Sequence, residues 1–227
     1  WYFQQAYNLA VEGIENPGPF RLLDYYYDVH LGSNDRNAEV LLYADHTESS
    51  EFYDGQSHSY FGGGAPGNQI VWFATWNYTL IRSTQKLSDG TSKEVESVQR
   101  EAAQAYGRPW SCMAPPIGVF QNTFADKTND SRYDGTFVTT FRGNWTKGSV
   151  SDNTLYNANG LAVHPGDAIL TFLDEDPANE GDINYDSSAA KASAVAAGVM
   201  NGRSDYVIAP SHISRGRYPN LWKLGTY

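Results

Sequence analysis

Apolar and aromatic side chains at Tyr2, Phe3, Ala6, Tyr7, Leu9, Ala10 and Ile14 recur near the helical period, so residues 1–15 are predicted to form a helix. Asn16-Pro17-Gly18-Pro19 stops it. The stretch from Phe20 to Leu31 suits a second, brief helix, and Glu39 to Ala44 reads as a buried strand. Residues 45–68 are polar, aromatic and glycine-rich, and loops of that length usually carry function or remain unordered. Ile70 to Ile81 follows with no clean period. Glu94 to Tyr106 has a helical composition ending at Gly107, whereas Phe124 to Arg142 alternates and predicts a strand pair. Residues 143–189 are loop-rich, Ala189 to Met200 predicts an alanine-rich helix, and the remainder to Tyr227 shows no clear period. The expectation is a mainly α chain with irregular loops and short β-strands. No internal repeat or linker marks a second domain, so one unit over residues 1–227 is expected.

Composition narrows what such a chain can do. With 16 Lys and Arg against 26 Asp and Glu the formal charge is −10, and no basic cluster stands out, which argues against nucleic acid as a partner. A single cysteine, Cys112, excludes an internal disulfide framework and a Cys-rich zinc site. No apolar run is long enough to span a bilayer. The opening Trp1-Tyr2-Phe3-Gln4-Gln5-Ala6-Tyr7 reads like the interior of a helix, so a mature or trimmed product is expected. Aromatics reach 14%, mostly Trp and Tyr, whose polar handles suit half-wet surfaces as well as cores.

Catalytic motifs are missing. There is no Gly-x-Ser-x-Gly elbow, HExxH or GxGxxG, and the five histidines are scattered. A glycoside hydrolase would need two opposed carboxylates, and the sequence does not pair its 26 candidates. The acidic run around Asp174, Asp176 and Asp182 offers weak calcium candidates, but the EF-hand pattern is absent and a solvated acidic loop is the plainer reading. Tyr53, Tyr60, Trp72, Trp76, Asn77, Tyr78 and Arg82 form the better constellation. A sugar ring has an apolar C–H face and an equator of hydroxyls, so aromatic platforms interleaved with planar polar groups suit it. Most aromatics are expected in the core, with a few between Trp72 and Tyr78 exposed.

Four segments, in order, resemble the SusD/RagB family of outer-membrane glycan-binding lipoproteins from gut-type Bacteroidetes. The opening helix continues through Phe20-Arg21-Leu22-Leu23-Asp24-Tyr25-Tyr26-Tyr27-Asp28-Val29, like the family's final scaffold helix and its continuation. Asn37-Ala38-Glu39-Val40-Leu41-Leu42-Tyr43 resembles the strand that follows it. Asn129-Asp130-Ser131-Arg132-Tyr133-Asp134-Gly135-Thr136-Phe137 is similar to the family's D-x-R-f-x-x-T-F stretch, and Arg217-Tyr218-Pro219-Asn220-Leu221-Trp222-Lys223-Leu224 to its fP-x-l-x-K-y segment. The lipid-bearing cysteine, most of the helical scaffold and a later R-x-A-E helix of the family have no counterpart in the chain.

The resemblance implies a tetratricopeptide-type scaffold end at residues 1–35 and a loop-rich, ligand-facing subdomain at 36–227. It implies non-catalytic capture of oligosaccharide or polysaccharide on the extracellular face of the outer membrane, through a lipid anchor outside this chain. Delivery would be to a SusC-like TonB-dependent porin, with no cofactor and no catalytic residue. The Tyr53–Phe61 loop and the Trp72–Tyr78 segment are the matching positions for ligand, and Asp130 and Arg132 are expected to form a structural, salt-bridged turn. The alternative is a glycoside hydrolase in which the same aromatics form subsites.

Overall fold

Helix α1 (Tyr2–Glu15) forms where the apolar spacing predicts it, and the backbone N–H of Asn16 closes it on the carbonyl of Glu12 at 2.9 Å. Gly18, at φ 62°, then takes a left-handed conformation that a side chain would disfavour. This computed structural model describes residues 1–42, 75–101, 103, 105–107, 109, 114–193 and 195–222. The chain divides into two compact units, residues 1–66 and 67–227.

The first unit holds α1 and the four-residue α2 (Tyr26–Val29), followed by a 3₁₀ turn at Gly32–Asn34. Its polar hinge is Asn37, whose Nδ2 donates to the carbonyls of Val29 at 3.0 Å and Asn34 at 2.8 Å. Its Oδ1 accepts from the Glu39 N–H at 3.0 Å. Those bonds make a turn of residues 37–40, so the strand expected from Glu39 is absent over the described residues 39–42. Tyr43 and Ala44 lie outside them. No residue of α1 is buried.

The second unit is built from strands, which overturns the expectation of a mainly α fold. Eleven short strands are described, so the protein is mixed α and β. One sheet has the order β2-β1-β5-β6, from β1 (Arg82–Lys86), β2 (Ser92–Glu96), β5 (Leu155–Tyr156) and β6 (Ala162–Val163). A second has the order β10-β7-β4, with β4 (Thr140–Arg142) antiparallel and β10 (Tyr206–Ile208) parallel to the central β7 (Ala168–Phe172). Two-stranded ladders join β3 (Phe137–Val138) to β11 (Asn220–Leu221) and β8 (Ile183–Asn184) to β9 (Val199–Met200). Helices α3 (Arg132–Thr136) and α4 (Ser188–Ala192) are one turn each.

Three element assignments change for identifiable reasons. The described residues of Glu94–Tyr106 form no helix, because Ser92–Glu96 pairs residue for residue with Arg82–Lys86 across the turn at Leu87–Thr91. The Phe124–Arg142 segment yields strands, but β3 and β4 do not pair with each other; they take separate partners in β11 and β7. Among its described residues, the alanine-rich run is helical only within Ser188–Ala192. Ser193 Oγ caps the Ala190 carbonyl and accepts from the Ala197 N–H, which turns the chain toward β9.

Among the described residues, ten aromatic side chains are buried in the core of the second unit. Trp76, Tyr78, Phe141 and Phe172 meet edge-on or stacked, with ring centroids between 5.3 and 6.3 Å apart. A neighbouring group joins Phe120, Phe124, Tyr133 and Phe137. Trp145 is fully buried and donates from Nε1 to the Asp152 carbonyl at 2.7 Å. Gly143 lies so close under the Trp145 ring that an added Cβ would collide with it. At the start of α3, Arg132 Nε donates to Asp130 Oδ1 at 2.7 Å, the ion-paired turn expected there.

One ion pair makes a pH-dependent contribution. Lys147 pairs with Glu101, whose carboxyl is held below its ordinary value of 4.5, first by that bond and further by Asn144. Because the folded state favours the carboxylate, this stabilisation is complete above the ordinary glutamate value. It is lost as pH falls through the lowered one. Glu101→Gln is therefore expected to flatten the loss of stability below about pH 4.5 in thermal melts, relative to the parent chain. An unchanged acid limb would show that the pair contributes nothing to it.

Candidate functional site

The residues singled out between 76 and 82 are structural. Trp76 and Tyr78 are both 0% exposed, which corrects the expectation that they present a platform to sugar. The Tyr78 hydroxyl donates to the Gly107 carbonyl at 2.8 Å, and burial pushes its phenol well above the ordinary tyrosine range, so it remains a donor. Asn77 Oδ1 accepts from Thr79 Oγ1 at 2.7 Å, and Arg82 Nη1 donates back to the Thr79 carbonyl at 2.5 Å. Both polar side chains thereby serve the turn that launches β1. Tyr53, Tyr60 and Trp72 lie outside the described residues. The exposed large aromatics among the described residues all fall between Trp1 and Tyr27.

A concave site arises elsewhere, from the parallel pairing of β7 with β10. Ile208 lies opposite Phe172, and the Leu173 N–H continues the ladder to the Ile208 carbonyl at 2.9 Å. Parallel strands release their following loops on the same edge, so residues 174–182 and 209–213 emerge side by side. The Ser211 N–H donates to Asp176 Oδ1 at 3.0 Å and ties the two loops together. Between them lies a cleft of about 550 Å³ lined by Asp176, Glu180, Ile183, Tyr185, Ser211 and His212, with Pro177 and Ala209. Its volume falls within the roughly 300–1,000 Å³ of ligand clefts.

The aromatic wall is a stacked pair. The Tyr185 and His212 rings are 3.8 Å apart and 12° from parallel, and His212 is exposed while Tyr185 is half-buried. Tyr185 is fixed from two sides. Its hydroxyl accepts from the Ala209 N–H at 3.1 Å, and its ring edge approaches Gly198. Gly198 bridges to Val207 through two backbone bonds, and a Cβ there would collide with Ile183 and crowd the Tyr185 ring. Burial raises the Tyr185 phenol above its usual value, so it faces the cleft as a neutral group. Ser211 Oγ lies 3.1 Å from His212 Nδ1.

The carboxylates do not gather as a metal centre. Asp174, Asp176 and Asp182 are exposed, and among the described residues no three of His, Cys, Asp or Glu converge on one point. Asp176 is instead a hydrogen-bond acceptor for the neighbouring loop. What the cleft offers is an aromatic face, a hydroxyl and two carboxylates. The sequence offers Asp176 only as a weak calcium candidate and does not connect it with Tyr185 or His212, because Asp176 and Tyr185 lie about 30 positions before His212 and are brought together with it by the β7–β10 ladder. No family model and no curated protein matches the chain.

Proposed function

We propose that this protein binds oligosaccharide without catalysis on the bacterial cell surface, and passes it to a TonB-dependent outer-membrane transporter. The surface location and the transporter rest on the ordered resemblance to SusD/RagB proteins. The binding role is carried by one structural observation, the open cleft in which a stacked Tyr185–His212 pair adjoins Ser211, Asp176 and Glu180. A pyranose can lay its C–H face on the imidazole while its hydroxyls meet the carboxylates and the serine. Such an open platform suits affinities in the millimolar to high micromolar range, about −4 to −6 kcal/mol.

His212→Ala removes the exposed half of the stack while leaving Tyr185 in place. Retention on a polysaccharide affinity gel is expected to fall roughly fivefold, in line with about 1 kcal/mol for one aromatic contact, at an unchanged melting temperature. Unchanged retention on a glycan that the parent chain binds would remove the cleft as the site. Release of reducing ends during the incubation would instead favour a hydrolase.

A further inference from the structure

We infer that the cleft selects a saccharide bearing a protonated amine over neutral and acidic sugars of the same length. This inference rests on the glycan-binding reading above. Its carrying observation is the pairing of an aromatic wall with carboxylates, in a cavity whose described lining includes no lysine or arginine. Asp176 uses Oδ1 to accept from the Ser211 N–H, which leaves Oδ2 for a ligand, and Glu180 is exposed on the same loop. Arg217, whose charge reaches Tyr185, is engaged with backbone carbonyls. Its Nε donates to His212 at 3.2 Å, and its Nη1 to Val195 at 2.6 Å and Ala196 at 3.3 Å.

That arrangement keeps Arg217 occupied in tying the 209–213 loop to Val195 and to Ala196, the latter at a left-handed φ of 50°. A uronate or sulfated sugar would therefore meet carboxylates, while the Nε and Nη1 of Arg217 are already committed to backbone carbonyls. An ammonium group would meet two acceptors of opposite charge beside the Tyr185 ring, a phenol face that attracts cations.

The test compares β-1,4-linked glucosamine pentamer, its fully N-acetylated form and a galacturonate pentamer by isothermal titration. The full chain and an Asp176→Asn/Glu180→Gln double variant are both titrated. The amine form is expected to bind about tenfold more tightly than the acetylated form, the galacturonate most weakly, with the preference shrinking as salt is raised. In the double variant the amine-over-acetyl preference should fall to near unity. Equal binding of the amine and acetylated forms by the parent chain would overturn the inference and leave the glycan reading standing. A preference that survives in the double variant would overturn its assignment to this cleft. Failure of every pentamer to bind, with a simple diamine still bound, would overturn the glycan reading itself.

Discussion

Trp76→Ala is expected to lower the unfolding free energy by about 3–5 kcal/mol, because it empties a fully buried indole site whose neighbours cannot close over it. The ring meets Phe141 edge-on at 5.3 Å and Phe172 at 6.0 Å, and those residues lie on β4 and β7. A cavity there loosens the sheet whose parallel edge forms the cleft. Urea denaturation followed by tryptophan fluorescence would measure it. The consequence for function is specific. Any loss of glycan retention in Trp76→Ala should track the fraction unfolded, and retention should recover at a lower temperature where the variant is folded. A folded, fully stable variant that had lost retention would restore Trp76 as a ligand contact and contradict its burial.

The second large effect concerns a polar residue. Asn157 is 4% exposed and makes three side-chain bonds that cross the second unit. Its Nδ2 donates to the carbonyls of Ile169 at 2.9 Å and Ser204 at 2.8 Å, and its Oδ1 accepts from Ser83 Oγ at 3.0 Å. Those partners lie on β7, on the turn before β10, and on β1. Asn157→Leu keeps a similar volume but withdraws two donors and one acceptor from buried partners. Each group stranded without a partner costs about 1–3 kcal/mol, so a loss of about 2–4 kcal/mol is expected. Asn157→Asp, which retains the acceptor and loses both donors, should be comparably damaging in the same urea titrations. A cost under about 1 kcal/mol for both would mean that the cross-links contribute little net stability.

How far the sequence could be read varies with how local each element is. Helix α1 was legible because its period and its Asn16-Pro17-Gly18 stop act within one segment. The Asp130–Arg132 pair was legible for the same reason, with only Ser131 between its partners. Glu94–Tyr106 misled because helical composition is a weak preference beside the strand pairing that draws Glu94, Val95 and Glu96 into register with β1. The alanine-rich run misled likewise, since Ser193 offers the backbone a competing turn after a single helical turn.

The candidate site shows the division most clearly. Trp76 and Tyr78 sit in an aperiodic, polar-interleaved segment, and nothing along the chain distinguishes a buried ring there from an exposed one. Burial depends on Phe141 and Phe172, which lie more than 60 residues onward. The cleft of Asp176, Tyr185, Ser211 and His212 depends on the parallel ladder of β7 and β10 and on Gly198, which admits the Tyr185 ring.

From sequence alone came the acidic charge, the absence of a disulfide framework, the aromatic excess and the ends of α1, since each is a sum over residues or a preference acting over a few positions. The mixed α and β architecture, the placement of Trp76 and Tyr78 in the core and the meeting of Tyr185 with His212 belong to the tertiary structure. Strand pairing and burial are decided by partners remote in the chain, and their energies outweigh the local preferences that a sequence displays.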